Sequence, residues 1–517
     1  MDLKSKKILS HKIKTANEIK KIIGDRPRKL EVIMCHGVFD IVHPGHIRHM
    51  VYAKTKAKIL IASLTSDKYV KKGNLRPYVP EDLRAINLAA LEIVDYVLID
   101  HNETPIKSLK IIKPDYYAKG YEYYAKTITP KTEEEVKTLE KFGGEIIFTP
   151  GDIIYSSTSL LNISSPSIGS EKLLSIMENE KIRFKDLKNT IKDFKNKKVH
   201  VVGDTIVDSF TICSMIGGMT KTPTMSLKFE KKLDFVGGAA IVAKHIKAAG
   251  ANVNFSTVLG NDKYKNFVLN SLKNSKIIPM AIIDRMRPTT NKNAIISEDY
   301  RLLKLDTLDS SSISDRMIKK INKQILSTKS DALVCSDFRH GIFNKKTIPQ
   351  ILNGVPKNIY KVADSQVASR WGNILDFKDF DLITPNEKET RFSLGDQDSI
   401  LRPLANTLYN KARCKTLILK CGSRGIVVCR SEKKTKNFRP FFALDTFAET
   451  VIDPVGAGDA LLAYSTLGML SSKNEVIAAI LGNVAAAIVC SQNGNIIVDS
   501  KKVLEKIEMI QKNTNYE

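Results

Sequence analysis

The chain has 517 residues, of which 43% are hydrophobic and 26% are charged, with a formal net charge of +25 at pH 7. A chain of this length is expected to form two or three domains, each with its own core. It contains no run of eighteen apolar residues, no apolar signal segment behind its basic start, and seven scattered cysteines without metal-ligand spacing. These features exclude a membrane-spanning, secreted or disulfide-rich class, and we expect a soluble, cytoplasmic protein with no membrane partner.

The positive charge has two interpretations. Clustered Lys and Arg could neutralise nucleic-acid phosphates, or lysine-rich helix faces could accompany sites for polyanionic nucleotides. The basic residues are spread along the chain, are interleaved with apolar or acidic residues, and form no aromatic-studded basic stripe. We therefore favour the second interpretation and expect no nucleic-acid partner.

The N-terminal third of the chain predicts short strands alternating with helices. The predicted helices cover residues 11–24, 44–56, 80–93, 104–111 and 132–142, and the predicted strands cover 30–35, 58–64, 96–99, 116–118 and 145–148. This alternation indicates a parallel sheet with ligands at the carboxyl ends of its strands.

A Ser-rich, turn-prone stretch follows at residues 156–170, and a helix at 184–194 then introduces a strand at 199–202 and a second α/β region. We predict a first domain over residues 1–162, a linker over 163–185 and a second domain over 186–517. The predicted fold class is thus α/β with two domains.

The first segment with recognisable chemistry is His36-Gly37-Val38-Phe39-Asp40-Ile41-Val42-His43-Pro44-Gly45-His46. A strand that ends at Gly37 and a helix that begins near Pro44 present unpaired backbone N–H groups to a phosphate. His43 and His46 lie on one face of the first helical turn, where two imidazoles can donate to a triphosphate and stabilise charge on its α-phosphorus. Two histidines at this spacing also fit a core or a metal site, so the spacing alone leaves their role open.

The wider pattern resembles the nucleotidyltransferase superfamily of cytidylyltransferases and sugar-phosphate adenylyltransferases. The similarity runs in order through Ser66-Asp67, Lys72-Gly73, Arg76-Pro77, Arg84, Lys119-Gly120-Tyr121-Glu122 and Tyr155-Ser156-Ser157-Thr158. A close match is the adenylyltransferase half of the bifunctional heptose-phosphate kinase/adenylyltransferase family.

This resemblance implies a Rossmann-like fold and nucleotidyl transfer assisted by His43 and His46, by positioning and charge neutralisation with Mg²⁺. The nucleotide- and phosphate-binding residues that it implies are Gly37, Phe39, Lys72, Arg84, Lys119, Ser157 and Thr158.

The second segment, Gly456-Ala457-Gly458-Asp459-Ala460, precedes a helical run. Backbone N–H groups of Gly456, Ala457 and Gly458 at a helix start can form an anion hole for a transferring phosphoryl group. The carboxylate of Asp459 can then act as the base for an acceptor hydroxyl. An ordinary turn before a helix can have the same residues, so this string also leaves the function open by itself.

With Asp453, this string resembles the signature of the ribokinase-like (PfkB) sugar kinases, and the similarity covers roughly residues 186 to 500. The resemblance implies a three-layer α/β/α fold with a small β lid, and Mg²⁺ that arrives with the bound nucleotide. The sugar-binding residues that it implies are Asp208, Gly237, Gly238 and Asp459. The nucleotide- or phosphate-binding residues that it implies are Asn386, Glu389 (also a candidate metal ligand), Lys420, Gly422, Gly425 and Asn483.

Residues 287–292 and 302–306 are similar to the heptose kinases in particular, but three features depart from the bifunctional family. The two halves stand in reversed order. Ile241 occupies the place of an Asn near the sugar, and Asp364-Ser365-Gln366 stands where a D-P-K sequence is expected, which removes one basic residue. These departures leave the identity of the sugar open.

The resemblances together imply a bifunctional enzyme that phosphorylates a sugar or sugar phosphate and transfers a nucleotidyl group from an NTP to a sugar 1-phosphate. ATP is the expected substrate of both halves, with CTP open for the N-terminal half, and a homodimer could form through the lid at residues 216–236. One alternative is a cytidylyltransferase for a polyol or sugar phosphate, with an inactive, ligand-sensing kinase-like domain. Another is a scaffold that binds nucleic acid through its positive charge.

Overall fold

The computed structural model describes residues 9–70, 77–120, 130–149, 168–217, 225–298, 300–366, 373–431, 440–492, 494 and 496–513. The chain forms two compact units, residues 1–175 and residues 176–517. The division falls inside the predicted linker, most of which is a helix, Ile168–Asn179. Leu173, Ile176 and Met177 are buried at helical spacing, so an apolar stripe forms a helix directly after the Ser-rich segment, inside the predicted linker.

The first unit contains a five-stranded sheet in the order β3-β2-β1-β4-β5, with all neighbours parallel. The strands are β1 (Val32–Gly37), β2 (Ile59–Thr65), β3 (Tyr96–Asp100), β4 (Tyr116–Gly120) and β5 (Glu145–Thr149). The helices are α1 (Ala16–Ile23), α2 (Pro44–Lys54), α3 (Glu81–Ala89), α4 (Ile106–Ile112), α5 (Pro130–Glu140) and α6 (Ile168–Asn179). The strand order reverses between β1 and β4, and ligands of open parallel sheets bind at such a switch point.

The first helix is shorter than predicted. Thr15 caps α1 and forms a capping box with Glu18, whose carboxylate accepts from the Thr15 backbone N–H at 2.8 Å. Residues 10–12 form turns, and Ile13 forms a parallel bridge with Val97 of β3. The residues of the predicted helix that precede Thr15 therefore lie outside α1.

Strand β1 is buried on both faces. Ile33 and Cys35 pack in one apolar cluster, whereas Val32 and Met34 pack in a second cluster. This alternation places one cluster on each side of the sheet, which explains the continuous apolar run in the sequence.

The described residues of the second unit form thirteen strands. They are β6 (Lys198–Gly203), β7 (Thr205–Gly217), β8 (Ser226–Gly238), β9 (Asn252–Gly260), β10 (Ile278–Asp284), β11 (Asn291–Ser297), β12 (Tyr300–Thr307), β13 (Ala332–Asp337), β14 (Tyr360–Ser365), β15 (Leu382–Ile383), β16 (Thr416–Lys420), β17 (Ile426–Arg430) and β18 (Phe441–Leu444). The described helices are α7 (Phe184–Asp193), α8 (Ala239–Ala248), α9 (Lys263–Asn274), α10 (Asp315–Ser327), α11 (Thr347–Leu352), α12 (Glu387–Leu394), α13 (Leu401–Ala412), α14 (Ala457–Ser472), α15 (Glu475–Cys490) and α16 (Ser500–Asn513).

Nine of these strands form the main sheet, in the order β10-β9-β6-β13-β14-β15-β16-β17-β18. The strands from β10 to β16 are parallel, and β17 and β18 are added antiparallel. The carboxyl ends of the parallel strands therefore face one edge, where Asp204, Asp337, Ser365 and Lys420 lie at or just beyond their strands.

The other four strands form a separate sheet, β12-β11-β7-β8, which we call the lid. Strand β7 continues from the end of β6 after Asp204, and β8 returns to α8 through Gly237 and Gly238.

Both units thus have the predicted α/β fold class. Among the described helices, none is long and apolar enough to cross a lipid bilayer.

Candidate active sites

The first candidate site lies where β1 leads into α2. His43 is the N-cap of α2, and its Nδ1 accepts a hydrogen bond from the Gly45 backbone N–H at 3.1 Å. A neutral His43 therefore carries its proton on Nε2, so Nε2 is the donor atom of this ring. Pro44 occupies the first helical position, where its missing N–H costs no hydrogen bond.

The imidazole of His46 stacks on that of His43, with ring centroids 3.8 Å apart and planes inclined by 28°. Phe39 contacts the other side of His46 in an edge arrangement at 5.2 Å. Burial, with smaller contributions from His43 and His49, lowers the pKa of His46 to about 4. The His46 imidazole can therefore act as a neutral donor near pH 7, and a bound triphosphate would raise its pKa.

The backbone of this segment explains its glycines. Phe39 adopts a left-handed conformation with φ of 48°, which is unusual for a bulky residue and is held here by burial of its ring. A Cβ at Gly37 would lie 3.3 Å from that ring, and a Cβ at Gly45 would lie 2.9 Å from the His43 ring. Small residues at these positions let the loop close around the two histidines.

Arg84 was predicted to contact phosphate, and the structure places it in the protein interior. Its side chain is 0% exposed. Its guanidinium donates to the Val79 carbonyl at 2.9 Å, the Thr65 carbonyl at 2.9 Å and the Asp67 carboxylate at 2.7 Å. It also donates to the Val38 carbonyl inside the first motif. In this structure Arg84 joins the motif to the end of β2, and a direct phosphate contact stays a prediction.

The structure gives less information on the other residues of this unit that were predicted to bind nucleotide or phosphate. Lys119, at the end of β4, forms an ion pair with Glu135 of α5. Lys72, Ser157 and Thr158 lie outside the described residues.

One residue of the first motif has a role that the sequence did not reveal. His36, at the end of β1, bonds through Nδ1 to the Ser63 hydroxyl at 2.9 Å and through Nε2 to the Thr65 hydroxyl at 3.2 Å. Burial lowers the pKa of His36 to about 4, so it is a neutral link between the carboxyl ends of β1 and β2. Its signal in the sequence was a polar residue in an otherwise apolar strand.

The second candidate site lies at the start of α14. Gly456 is the N-cap residue, with φ of 82°, a conformation that favours glycine. The Asp453 carboxylate holds this turn from both sides, since it accepts from the Val455 N–H at 3.0 Å and from the Gly494 N–H at 3.2 Å. The Ala457 N–H donates to the Pro454 carbonyl at 3.2 Å. The other amides of the first helical turn have no acceptor within the helix, so they are available to an anion.

The carboxyl of Asp459 lies in this first turn of α14. Burial raises its pKa to about 7, and the neighbouring carboxylates of Asp364, Asp208 and Glu389 add to the effect, whereas Lys420 opposes it. A carboxylate with this pKa suits proton abstraction at neutral pH. The site thus combines amide donors and a base within a single helical turn.

Lys420, at the end of β16, forms an ion pair with Asp364, at the end of β14. Its Nζ lies 3.0 and 3.1 Å from the two carboxylate oxygens. A Cβ built on Gly458 would lie 3.2 Å from the same Nζ, so the ammonium adjoins the anion hole. In the sequence, Asp364 stood out only as part of the segment that differs from the D-P-K pattern. Its ion pair with Lys420 was not predicted.

The N-x-x-E segment forms a capping box at the start of α12. The Glu389 N–H donates to the Asn386 side-chain oxygen at 2.9 Å, and the Asn386 N–H donates to the Glu389 carboxylate at 2.7 Å. Within the described residues, no group of three or more His, Cys, Asp or Glu side chains lies close enough to hold a metal ion. Mg²⁺ fits this site as an ion carried by nucleotide phosphates, with the carboxylates of Asp364 and Glu389 nearby.

The predicted nucleotide loop is a tight turn after β16. The Cys421 N–H donates to the Gly425 carbonyl at 2.8 Å, and both Gly422 and Gly425 have positive φ angles. Burial raises the pKa of Cys421 to about 12, so its thiol is not activated. Asn483, in α15, uses its side-chain amide to bond the Asp445 carbonyl at 2.8 Å.

The predicted sugar residues meet where the lid joins the main sheet. A side chain at Gly238 would overlap the Asp204 carbonyl, and its φ of 63° also favours glycine. A side chain at Gly237 would displace the Asp208 carboxylate. Burial raises the pKa of Asp208, while Lys292 and Lys304 of the lid oppose this rise. The structure therefore brings two lysines to the carboxylate that was expected to bind sugar hydroxyls.

The two departures noted in the sequence lie in this unit. Ile241 is buried in the first turn of α8, so the polar Asn of related kinases is replaced by an apolar side chain. Gln366 follows β14, and its backbone N–H donates to the Asp337 carbonyl at 2.9 Å.

Two family models match the chain. The model for pfkB family carbohydrate kinases matches residues 196–502, which are more than half of the chain. The model for cytidylyltransferase-like proteins matches residues 34–168.

Curated relatives match parts of the chain. Bifunctional protein HldE of Sulfurimonas denitrificans is 24% identical over 325 residues, which are 62% of this chain and 66% of that protein. Bifunctional protein HldE of Nitratiruptor sp. is 41% identical over 137 residues, which are 26% of this chain and 30% of that protein. The chain thus covers just under two thirds of the first relative's length and less of the second's.

Among solved structures, phosphofructokinase-2 from Escherichia coli in complex with potassium matches with a TM-score of 0.50 and 17% identity. The match covers 61% of this chain and 99% of that chain. At this identity the likeness concerns the fold alone. Together with the family matches, it confirms the ribokinase-like fold predicted for the second unit, and the other match confirms the cytidylyltransferase-like fold predicted for the first.

Proposed function

Because this chain belongs to the pfkB family of carbohydrate kinases and carries a cytidylyltransferase-like domain before its kinase domain, we propose that it is a bifunctional sugar-activating enzyme. Its second unit phosphorylates a sugar or sugar phosphate from ATP. Its first unit joins a nucleotidyl group, with ATP as the preferred donor, to a sugar 1-phosphate. The observation that carries the proposal is the first turn of α14, which holds an anion site and the Asp459 carboxyl with its pKa of about 7.

In the kinase reaction, the oxygen of the acceptor hydroxyl attacks the γ-phosphorus of ATP. The bond between that phosphorus and the bridging oxygen of ADP breaks, and the hydroxyl proton passes to the Asp459 carboxylate. The amides at Gly456 and Gly458 stabilise the negative charge on the transferring group, and the Ala457 amide, which donates to Pro454 here, joins them by exchanging that carbonyl for the phosphoryl group. Mg²⁺ enters with the nucleotide and neutralises charge on its phosphates.

In the nucleotidyl transfer, a phosphate oxygen of the sugar 1-phosphate attacks the α-phosphorus of the NTP, and pyrophosphate leaves. The attacking oxygen is already anionic, so no base is needed. His43 and His46 donate hydrogen bonds to the triphosphate from one face of α2. Arg84 acts by holding the motif loop against the end of β2.

We favour a phosphorylated sugar, such as a heptose phosphate, as the kinase substrate. Two observations support this choice: the similarity of residues 287–292 and 302–306 to heptose kinases, and the presence of Lys292 and Lys304 beside Asp208. Two ammonium groups near the Asp208 carboxylate, which is predicted to bind the sugar, suit an acceptor that already carries a negative charge.

The two activities are tested by separate products. ADP release with MgATP is measured against sugars and sugar phosphates, headed by heptose 7-phosphate. Pyrophosphate release is measured with ATP or CTP and a set of sugar 1-phosphates. We expect Asp459→Asn to lower only ADP release and His46→Ala to lower only pyrophosphate release.

Other outcomes distinguish the alternatives. Pyrophosphate release with CTP but not ATP would favour a cytidylyltransferase. An absence of ADP release with every acceptor would contradict the kinase activity, and salt-sensitive nucleic-acid binding in its place would favour the scaffold.

We also propose a homodimer through the lid. Four exposed hydrophobic side chains lie on the lid: Leu233 and Phe235 of β8, and Leu303 and Leu305 of β12. Phe235 is in register with Asp208, and Leu305 is in register with Asn293. These two register positions lie on opposite faces of the lid, so the β8 pair and the β12 pair do as well. A second copy could cover one face. Sedimentation velocity measures the oligomeric state of Leu233→Asp and Leu305→Asp, with Lys231→Asp as a control. The variant that becomes monomeric identifies the face that forms the dimer. A monomeric wild type would contradict the proposal.

A further inference from the structure

The ammonium of Lys420 lies between a buried carboxylate and the anion hole. Its side chain is 15% exposed and that of its partner Asp364 is 3% exposed. Asp364 is fixed in turn, because one of its oxygens accepts from the Thr384 hydroxyl at 3.2 Å. On its other side, the same ammonium would lie 3.2 Å from a Cβ at Gly458. Groups from the ends of two neighbouring strands, β14 and β15, therefore fix Lys420, and its ammonium faces the start of α14.

The backbone of Lys420 is also fixed. Its N–H donates to the Pro385 carbonyl at 2.9 Å, and the residue forms a parallel bridge with Asn386. Hydrogen bonds therefore fix both the backbone and the ammonium group of Lys420 at the end of β16. Such preorganisation is what stabilises a developing charge without reorganisation during the reaction.

The charges around Asp459 show why a cation is needed here. The groups that act on its carboxyl are Asp364 of β14, Lys420 of β16, Asp208 of β7 and Glu389 of α12. Three of these four are carboxylates, and a nucleotide γ-phosphate brings further negative charge. Without compensation, the phosphate and the base would repel each other.

We propose that Lys420 is a catalytic residue of the phosphoryl transfer, whose ammonium contacts the transferring group at Gly458, and that Asp364 is its positioning residue. This inference rests on the proposed kinase activity of the second unit. It gives Lys420 a role on the transferring phosphoryl group in addition to its place in the nucleotide loop.

The reaction stays balanced with this assignment. The acceptor oxygen forms a bond to the γ-phosphorus, the bond to ADP breaks, and the acceptor proton goes to Asp459. Lys420 remains protonated throughout and neutralises charge on the equatorial oxygens of the transferring group. Burial alone would lower the pKa of Lys420, but attraction to Asp364 and Glu389 outweighs it, so the net shift is upward and the charge is retained.

A purely structural ion pair makes different predictions. If Lys420 served only to neutralise Asp364, its removal would change stability and leave the γ-phosphate unaffected. The affinity for ATP relative to ADP separates the two roles, because only the catalytic role involves the γ-phosphate. This ratio can be measured whether or not the sugar is known.

The test uses the full chain with Lys420→Met, Lys420→Arg and Asp364→Asn. Lys415→Met is the matched control, since Lys415 directly precedes the same strand, is 76% exposed and pairs with Asp381. Titration calorimetry measures the dissociation constants of MgATP and MgADP. We expect Lys420→Met to weaken ATP binding by roughly ten- to a hundredfold, with ADP binding little changed, and Lys420→Arg to retain part of the difference.

Kinetics with an accepted sugar give a second readout. Lys420→Met should lower kcat on the order of a hundred- to a thousandfold with little change in the KM for the sugar. It should also move the acid limb of kcat/KM to higher pH, because a cation that favours ionised Asp459 is lost. Asp364→Asn should move this limb to lower pH, because a repelling carboxylate is removed.

An unchanged ATP-to-ADP affinity ratio in Lys420→Met would overturn the proposal. If that variant fails to fold, the ratio in Lys420→Arg and the pH shift in Asp364→Asn decide in its place. If Lys420→Met lowers the ATP preference of the wild type but neither protein phosphorylates a sugar, the proposed kinase activity is contradicted and the Lys420 contact is supported.

Discussion

The imidazole rings of His43 and His46 stack on each other, with centroids 3.8 Å apart and planes inclined by 28°. Two protonated imidazoles at this distance would repel each other, and His43 does lower the pKa of His46. The His46 ring therefore suits hydrogen bonding in its neutral form in the free protein. A bound anion such as a triphosphate would favour its cationic form.

The first prediction concerns this pair. His46→Ala should reduce the rate of pyrophosphate release on the order of a hundred- to a thousandfold, because a donor to the reacting phosphate is lost. His43→Asn should have a similar effect while preserving the helix, since Asn is also a good N-cap. The exposed His101→Ala serves as the control, and steady-state assays that show equal rates for all three variants would contradict the assignment.

The second prediction concerns the pH dependence of the kinase. Asp459 must be ionised to accept a proton, and its pKa is raised to about 7 by burial and by Asp364. We expect kcat/KM for ADP release to fall about tenfold per pH unit below pH 7. Asp459→Asn should lower kcat by roughly a hundred- to ten-thousandfold and remove this acid limb. A residual activity with the same limb would assign the base to another residue.

The third prediction concerns Arg84. Removal of this buried guanidinium in Arg84→Met leaves Asp67 and three backbone carbonyls without their donor, at a cost of about 3–5 kcal/mol in the free energy of unfolding. The matched control is Arg413→Met, an exposed arginine paired with Asp379, for which we expect a much smaller loss because solvent screens the ion pair. Urea unfolding of the two variants measures both values. Similar losses would show that burial does not distinguish the two arginines.

The fourth prediction concerns acid stability. His200 is buried, bonds to the Thr328 and Ser256 hydroxyls at 2.9 and 2.8 Å, and has its pKa lowered to about 4 by burial. A base with a lowered pKa binds fewer protons in the folded state, so stability is lost as the pH falls from 6.5 through 4. The loss that this residue contributes is about 3 kcal/mol.

The variant His200→Gln retains hydrogen-bonding groups but does not titrate. Its free energy of unfolding should therefore fall less steeply than that of the wild type between pH 6.5 and 4. Urea denaturation at several pH values gives both curves. Parallel curves would show that His200 does not carry this pH dependence.

Much of the fold could be predicted from the sequence. Apolar runs and helical periodicity located the strands and helices of the first unit, and their alternation predicted parallel sheets. The helix Ile168–Asn179 was missed because the Ser-rich segment before it dominated the composition. Helix α1 was predicted too long because the sheet contact of Ile13 with Val97 is not local.

The candidate sites were predicted as far as they are local in sequence. His43 and His46 share one helical turn, as do Gly458 and Asp459, and Asn386 and Glu389 form one capping box. Spacing along a helix determines such geometry, so the sequence by itself determined these groupings. The family resemblance then indicated their chemistry.

Only the tertiary structure decided which distant side chains meet. Lys420 and Asp364 are 56 residues apart, and their contact depends on the order β14-β15-β16 in the main sheet. Arg84 reaches Val38 and Thr65 because α3 packs beside the ends of β1 and β2. A hydrogen bond is formed over a few ångströms, whereas sequence patterns report only which face a residue occupies, so strand order and packing determine the partner.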